Sequence, residues 1–242
     1  MRMRLLSFCL LMPACTLLLA TPAFAGAVTG TVSWTGAVPN LRPVPMDGDR
    51  ECAAMHSEPV ANEVLLLGDD NTMGNILVWI SGGLPEGAEY PLPEETIVLD
   101  QEGCIYHPRV FGIRVGQTLK VLNPDGILHN VNGAPQANRP FNIGMTASIT
   151  ELEMVFENPE VLPFPIRCDV HNWMRSSCGV FDHPYFFVTD TSGEFRIEGL
   201  APGDYELTAW HEQLGPQTTT ITIPDEDEAE VTADFEFSRP GR

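Results

Sequence analysis

Basic residues are scarce in this sequence: Lys and Arg number 13 against 33 Asp and Glu, for a formal net charge of −20. A surface so short of cations has little with which to neutralise phosphates, which excludes nucleic acid as a partner. No stretch sustains an amphipathic helical period, so a helical bundle is excluded as well. After residue 25 no apolar run approaches the length needed to cross a bilayer, and stable membrane insertion is not expected of the remainder.

The one long apolar run lies at the start. Met1 to Arg4 alternate Met and Arg, LLSFCLLMPACTLLLA follows, and Ala23-Phe24-Ala25 has the small-x-small form cut by a signal peptidase. Residues 1–25 are therefore expected to be an export signal and the mature chain to begin near Gly26 in the periplasm. A lipoprotein cut before Cys15 is the competing reading, disfavoured because the apolar run continues past that point. Removing the signal discards two arginines and no acids, which takes the net charge to about −22. Such acidity could steer a basic partner, but composition alone favours a solvated surface.

What the chain has in abundance is turns and alternation. With 21 Pro, 21 Gly and runs of alternating Val, Ile, Thr and Phe, it reads as all-β, one large sandwich or two small ones. TGTVSWTG alternates as a strand, and NLRPVPMDGDRECAAMHSEP is a proline-containing connection carrying Cys52 and His56. NILVWISGG is a short apolar strand, and PEGAEYPLPEE reads as a linker or long loop. Strands resume in TIVLDQEGCIYHPRVFGIRVGQTLKVLN, ITELEMVFENP and FPIRC. Beyond Val180 the texture changes, ending in VTADFEF with Val231, Ala233, Phe235 and Phe237 on one face.

Residues 168–174 read CDVHNWM and carry the chemistry. A thiolate and an imidazole ligate copper, zinc and iron, whereas a thioether is soft and adds little except to copper. Cys168, His171 and Met174 in one loop thus point to copper once a second histidine joins them, and His129, just after the strand TLKVLN, is the candidate. The plainer alternative is a disulfide cysteine with a surface histidine and a core methionine.

Over about residues 95–182 the chain resembles the cupredoxin (blue copper) family, in its amicyanin- and plastocyanin-like branch. The resemblance is carried by TIVLDQ, RVGQTLKVLN, Asn123 ahead of His129-Asn130-Val131, and the short Cys168-x2-His171-x2-Met174 loop. It implies a Greek-key β-sandwich with one type 1 copper, His129, Cys168 and His171 in a trigonal plane and Met174 axial. Asn130 would hydrogen-bond near the thiolate. The implied function is a periplasmic carrier of single electrons through Cu(I)/Cu(II), not an enzyme, with a c-type cytochrome or a periplasmic dehydrogenase as redox partner. The alternative is a copper-binding or copper-delivery protein. In the family the loop histidine edges through an apolar surface patch; here that would be His171 with Ile127, Leu128 and Trp173. Asn172 stands where amicyanin-like loops have proline, which implies a looser loop and a His171 freer to protonate. Multicopper oxidases need His-x-His pairs and a His-Cys-His, neither of which occurs, and a second copper of the nitrite-reductase kind would need its own histidines.

With Cys168 assigned to metal, Cys52 and Cys104 are the disulfide candidates and Cys178 a buried free thiol. His107, His183 and His211, near aromatic residues, read as structural. TDTSGEFRIEGLAPGDYELTAWHE resembles the carboxypeptidase regulatory-like modules, which are small transthyretin-like sandwiches. The expected organisation is a signal at 1–25, a β segment at 26–90, the copper domain at 91–183 and the regulatory-like module at 184–242. The two flanks would form one sandwich with the copper domain inserted; the rival is an N-terminal extension and an independent C-terminal module. If Cys52 belongs to the flank, its bridge to Cys104 would tie the two sandwiches together.

Overall fold

The computed structural model describes residues 26–226 and 228–239, so the expected signal at 1–25 lies outside the described residues. The architecture is all-β, as expected, with one short helix, Arg50–Ala54, and several 3-10 turns among the strands. No helix among the described residues is long and apolar enough to cross a membrane.

The first sandwich is built from both ends of the chain. Gly26–Trp34 runs antiparallel to Glu194–Leu200 and parallel to Glu230–Thr232 and Phe235–Phe237. The facing sheet has the order Phe186–Val188, Leu77–Gly82, Gly203–His211, Gly215–Ile223. Alternation sets the core: Val28 and Val32 from one sheet meet Val78, Ile80, Leu207 and Ile221 from the other. Burying each such side chain contributes roughly 1.5–3 kcal/mol.

The second sandwich uses residues 97–181. A three-stranded sheet, Glu151–Val155, Thr118–Leu122, Ile97–Asp100, faces a five-stranded one in the order Val110–Arg114, Arg175–Phe181, Phe164–Arg167, His129–Gly133, Phe141–Met145. Two of its pairings are parallel, Ile97–Asp100 with Thr118–Leu122 and Val110–Arg114 with Arg175–Phe181. Its core includes Leu99, Ile113, Val121, Val131, Ile166 and Val180. The segment PEGAEYPLPEE is tacked to this sandwich: the buried Arg114 guanidinium donates to Tyr90 O, and Gln117 Nε2 donates to Glu95 O at 2.7 Å.

Strand Leu77–Gly82 joins the two bodies because both its faces are covered. Val78 and Ile80 enter the first core, while Leu77 and Trp79 pack with Val110, Phe181 and Trp210 in a cluster between the sandwiches. Gly112 and Gly179 sit side by side in the adjoining sheet. A Cβ on Gly179 would lie 2.6 Å from Leu77 Cδ2, so close approach requires the missing side chain. At the rim Arg109 grips Glu212 with two hydrogen bonds, 2.6 and 3.0 Å.

One organisational expectation changes. The proline-containing connection does not go with the flanking sandwich: Val44, Met46, Cys52 and Val60 pack into the second core. Cys52 and Cys104 are joined by a disulfide. Both belong to that same core, so the bridge pins a strap, residues 44–60, onto the second sandwich and does not tie one sandwich to the other.

His183 follows Phe181 at the junction and is buried, its Nδ1 accepting the Tyr185 N–H at 3.2 Å. Burial holds its pKa down at about 4, against the opposing charge of Asp182. In the unfolded chain the ring takes up its proton near pH 6.5. Stability should therefore be complete above about pH 6.5 and fall by up to roughly 3 kcal/mol as the pH drops to about 4. His183→Asn should flatten that limb in denaturant titrations, and an equally steep limb in the variant would refute the assignment.

Candidate metal centre

Strand pairing brings the sequence-predicted residues together. Ile166 pairs with Gly133 and Arg167 with Asn132, so the end of one antiparallel strand and the start of the other meet at one end of the sheet. Cys168 follows the first and His129 opens the second. Arg167 also pairs with Arg175, so residues 168–174 close a hairpin over that end. Cys168 N–H donates to Met174 O at 3.2 Å and Met174 N–H to His171 O at 3.0 Å, which folds the loop back on itself.

His129, Cys168, His171 and Met174 are all buried. His129 Nδ1 and His171 Nδ1 lie 3.0 Å apart, and Cys168 Sγ is 3.8 Å from His171 Nδ1. One donor atom from each of His129, Cys168 and His171 falls within 4.8 Å of the other two. Met174 is enclosed in the same core. Cys168 and Cys178 are both free thiols, and both are buried.

The electrostatics prepare the thiol to be a ligand. Burial acts to raise the Cys168 pKa, but hydrogen bonds from His129 and from the N–H groups of Asn130, His171 and Val170 outweigh it and lower it. Burial likewise opposes the charge on His129, yet Asp125 and Cys168 together push its pKa up to about 9. His171 moves the other way, lowered by burial and by the neighbouring His129. Cys178, enclosed in the core, is raised by burial and is no candidate nucleophile or ligand.

The far side of each imidazole is also engaged. His129 Nε2 lies 2.8 Å from Asp125 Oδ2, and His171 Nε2 lies 3.3 Å from Asp49 Oδ2. Asn130 Oδ1 accepts the Asp169 N–H at 2.6 Å, and Asn130 Nδ2 donates to Asn142 Oδ1 at 2.7 Å. The Asp169 carboxylate in turn accepts from Asn132 and Asn142. Asn130 thus ties the His129 strand to the residue next to Cys168.

Two nitrogen lone pairs and a thiolate converge in a buried space where the chain itself can put at most a proton between them. Such a donor set fits a thiophilic, imidazole-binding cation.

One site expectation is corrected. His171 was expected to edge through an apolar patch with Ile127, Leu128 and Trp173, but it is only 3 % exposed. The strap covers it through Asp49, and the Trp173 ring packs beside it, centroids 5.3 Å apart. Ile127 packs against the core and only Leu128 is well exposed, at 47 %. Trp173 is turned inward because its Nε1–H donates to Cys104 O at 3.0 Å. The cover and the Asp49 contact also leave His171 less free to swing out than the Asn172 loop suggested.

Of the other histidines, His56 and His211 are held by hydrogen bonds, whereas the His107 side chain is exposed. His56 Nε2 meets Gly103 O at 2.7 Å, and His211 Nδ1 accepts the N–H groups of Gln213 and Leu214. Asp49 and Asp125 had escaped the sequence reading. Asp49 shows there only as a helix-capping residue in DGDREC, and Asp125 only as a turn residue in NPDG.

Residues 182–236 match the family model of the carboxypeptidase regulatory-like domain. No curated protein matches the chain. Among solved structures, a Cu-containing nitrite reductase from Thermus scotoductus SA-01 is similar at 20 % identity and a TM-score of 0.33, over 42 % of this chain. The match spans 25 % of the reductase. A methionine variant of amicyanin in the Cu(I) state is similar at 17 % identity and a TM-score of 0.32, over 43 % of this chain and 91 % of that one. An oxidised proline variant of amicyanin gives 18 % identity and a TM-score of 0.32 with the same coverage.

Peptide mapping without reductant should recover Cys52 joined to Cys104, with Cys168 and Cys178 alkylated only after unfolding. The bridge closes a separation of 52 residues. Cys52→Ser should lower the melting temperature, with a loop-closure ceiling on the order of 4 kcal/mol. Recovery of Cys104 bridged to Cys178 would overturn the pairing.

Proposed function

We propose that the chain is a type 1 copper protein that carries single electrons, in which His129, Cys168 and His171 would hold the metal and Met174 would add a weak thioether donor. The supporting observation is the convergence of two Nδ1 atoms and one Sγ, all buried, at one end of a packed sheet. Copper, when bound, supplies one-electron chemistry by alternating between Cu(I) and Cu(II). Everything else is the work of the chain.

Asp125 and Asp49 orient the imidazoles, backbone N–H groups stabilise the Cys168 thiolate, and the strap and Trp173 keep bulk water from His171. A site whose donors are each held from behind does not need to rearrange when its charge changes. The same feature favours a carrier over the alternative, copper delivery, because a delivery protein must let its ligands open to release the ion. The chain is read as periplasmic, following its export-like start, and its redox partner as a c-type cytochrome or a periplasmic dehydrogenase. The flanking sandwich, with no donor cluster of its own among the described residues, is assigned no chemistry in this reading.

A thiolate bonded to Cu(II) gives an intense charge-transfer band in the red. Purified protein with one equivalent of Cu(II) should show it, Cys168→Ala should abolish it and His211→Ala should leave it. A colourless Cu(II) complex of the folded wild type would sink the reading, and rapid loss of copper to a weak chelator would favour delivery.

Met174→Gln replaces a soft sulfur with a harder oxygen that favours Cu(II). Voltammetry should find a lower reduction potential with copper still bound. An unchanged potential counts against Met174 as a donor.

A further inference from the structure

Two acidic side chains from segments far apart in the chain end on the outer nitrogens of the two histidines. Asp125 is local: its Oδ1 accepts Gly103 N–H and its Oδ2 accepts Cys104 N–H, both at 2.7 Å, and Oδ2 also meets His129 Nε2. Asp49 arrives from outside the sandwich. Its Oδ1 caps the helix Arg50–Ala54 by accepting the N–H groups of Glu51 and Cys52, at 2.9 and 3.1 Å, which leaves Oδ2 to face His171 Nε2.

The two carboxylates are coupled through covalent structure. Asp49 caps the turn that carries Cys52, Asp125 binds the N–H of Cys104, and the disulfide joins these two cysteines. The disulfide also lies against the site, since a sulfur of each cysteine falls within 4.8 Å of a ring nitrogen of His171. The strap therefore cannot drift from His171 without also moving the bridge. Met46, buried in the core just ahead of Asp49, fixes its other end.

We propose that Asp49 is the positioning residue for His171. Its carboxylate, held over the ring by the pinned strap, occupies the place that solvent would take at Nε2 and keeps Nδ1 turned toward Cys168. This rests on the copper reading of the same site. A carboxylate behind a ligating imidazole fixes ring orientation and raises its basicity, and loss of such a partner costs about 10–100-fold in metal affinity. Its negative charge also favours the more highly charged state of a bound cation over the less charged one. The ring cannot swing outward to release metal until Asp49 has moved.

Asp49→Asn separates this role from folding, because asparagine caps a helix as well as aspartate does. In the copper-loaded protein the red band should persist, release of copper to a chelator should quicken about 10–100-fold, and the reduction potential should rise. Release and potential both unchanged from wild type would overturn the proposal. A second measurement needs no metal. In metal-free protein with 15N-labelled histidine, the Nε2–H proton of His171 should resonate at the low field of a carboxylate-bonded imidazole. It should move upfield in Asp49→Asn while that of His129 stays in place. Identical His171 resonances in the two proteins would also overturn the proposal. A wild type that never develops the red band would defeat the copper reading alone, and the metal-free resonances would still decide the part played by Asp49.

Discussion

The short closure between strands Phe164–Arg167 and Arg175–Phe181 is the constraint on which the centre rests. Both strands are fixed by their neighbours, one against His129–Gly133 and the other against Val110–Arg114. The loop between them has no freedom to wander, so Cys168 and His171 meet at one end of the sheet and Met174 turns into the core. The same pairing places His129 beside them with no long side-chain reach. Geometry at the centre is thus inherited from a backbone ladder, and the side chains there need supply only chemistry.

Around that ladder, the polar groups of the centre itself are matched to partners. The thiol faces three backbone donors, each imidazole has a carboxylate behind it, and Asn130 uses both ends of its amide. Each of these contacts would be worth little in water, but away from water an unmatched group costs about 1–3 kcal/mol, so the network resists partial disassembly. Most of the acids lie on the surface as solvated charge, while Asp49 and Asp125 are held at the centre, and Glu160 away from it, by backbone N–H groups.

Much of this was readable from the residues. The all-β character followed from alternation and turn chemistry, and the three-residue step from Cys168 to His171 to Met174 can fold onto one point only as a tight loop. His129 could be singled out because it comes soon after the strand ending at Leu122, though the structure puts it at the start of the next strand. The strap could not be read. A helix of one turn with an aspartate before it is a commonplace local signal, and its burial depends on Met46 and on the disulfide, both long-range facts. The parallel pairings were equally hidden, because alternation says which face is buried but not which strand lies alongside. His171 was expected at the surface because the family resemblance places the loop histidine there, and Asp49, which covers it together with Trp173, lies 122 positions earlier in the chain.

Among the described strands, Gly26–Trp34 is made first and completed last. Its partners are Glu194–Leu200, Glu230–Thr232 and Phe235–Phe237, so during synthesis it must wait, with an apolar face uncovered, until nearly the whole chain exists. The sandwich of residues 97–181 has all its own strands in hand much earlier and can condense while the flanks are still open. Pairings of such sequence separation are slow to close. Folding order is thereby written into topology: the body of residues 97–181 can consolidate first, and its completed surface, with Gly112 and Gly179 exposed as a flat floor, becomes the template on which Leu77, Phe186 and finally the strands of the flanking sandwich assemble.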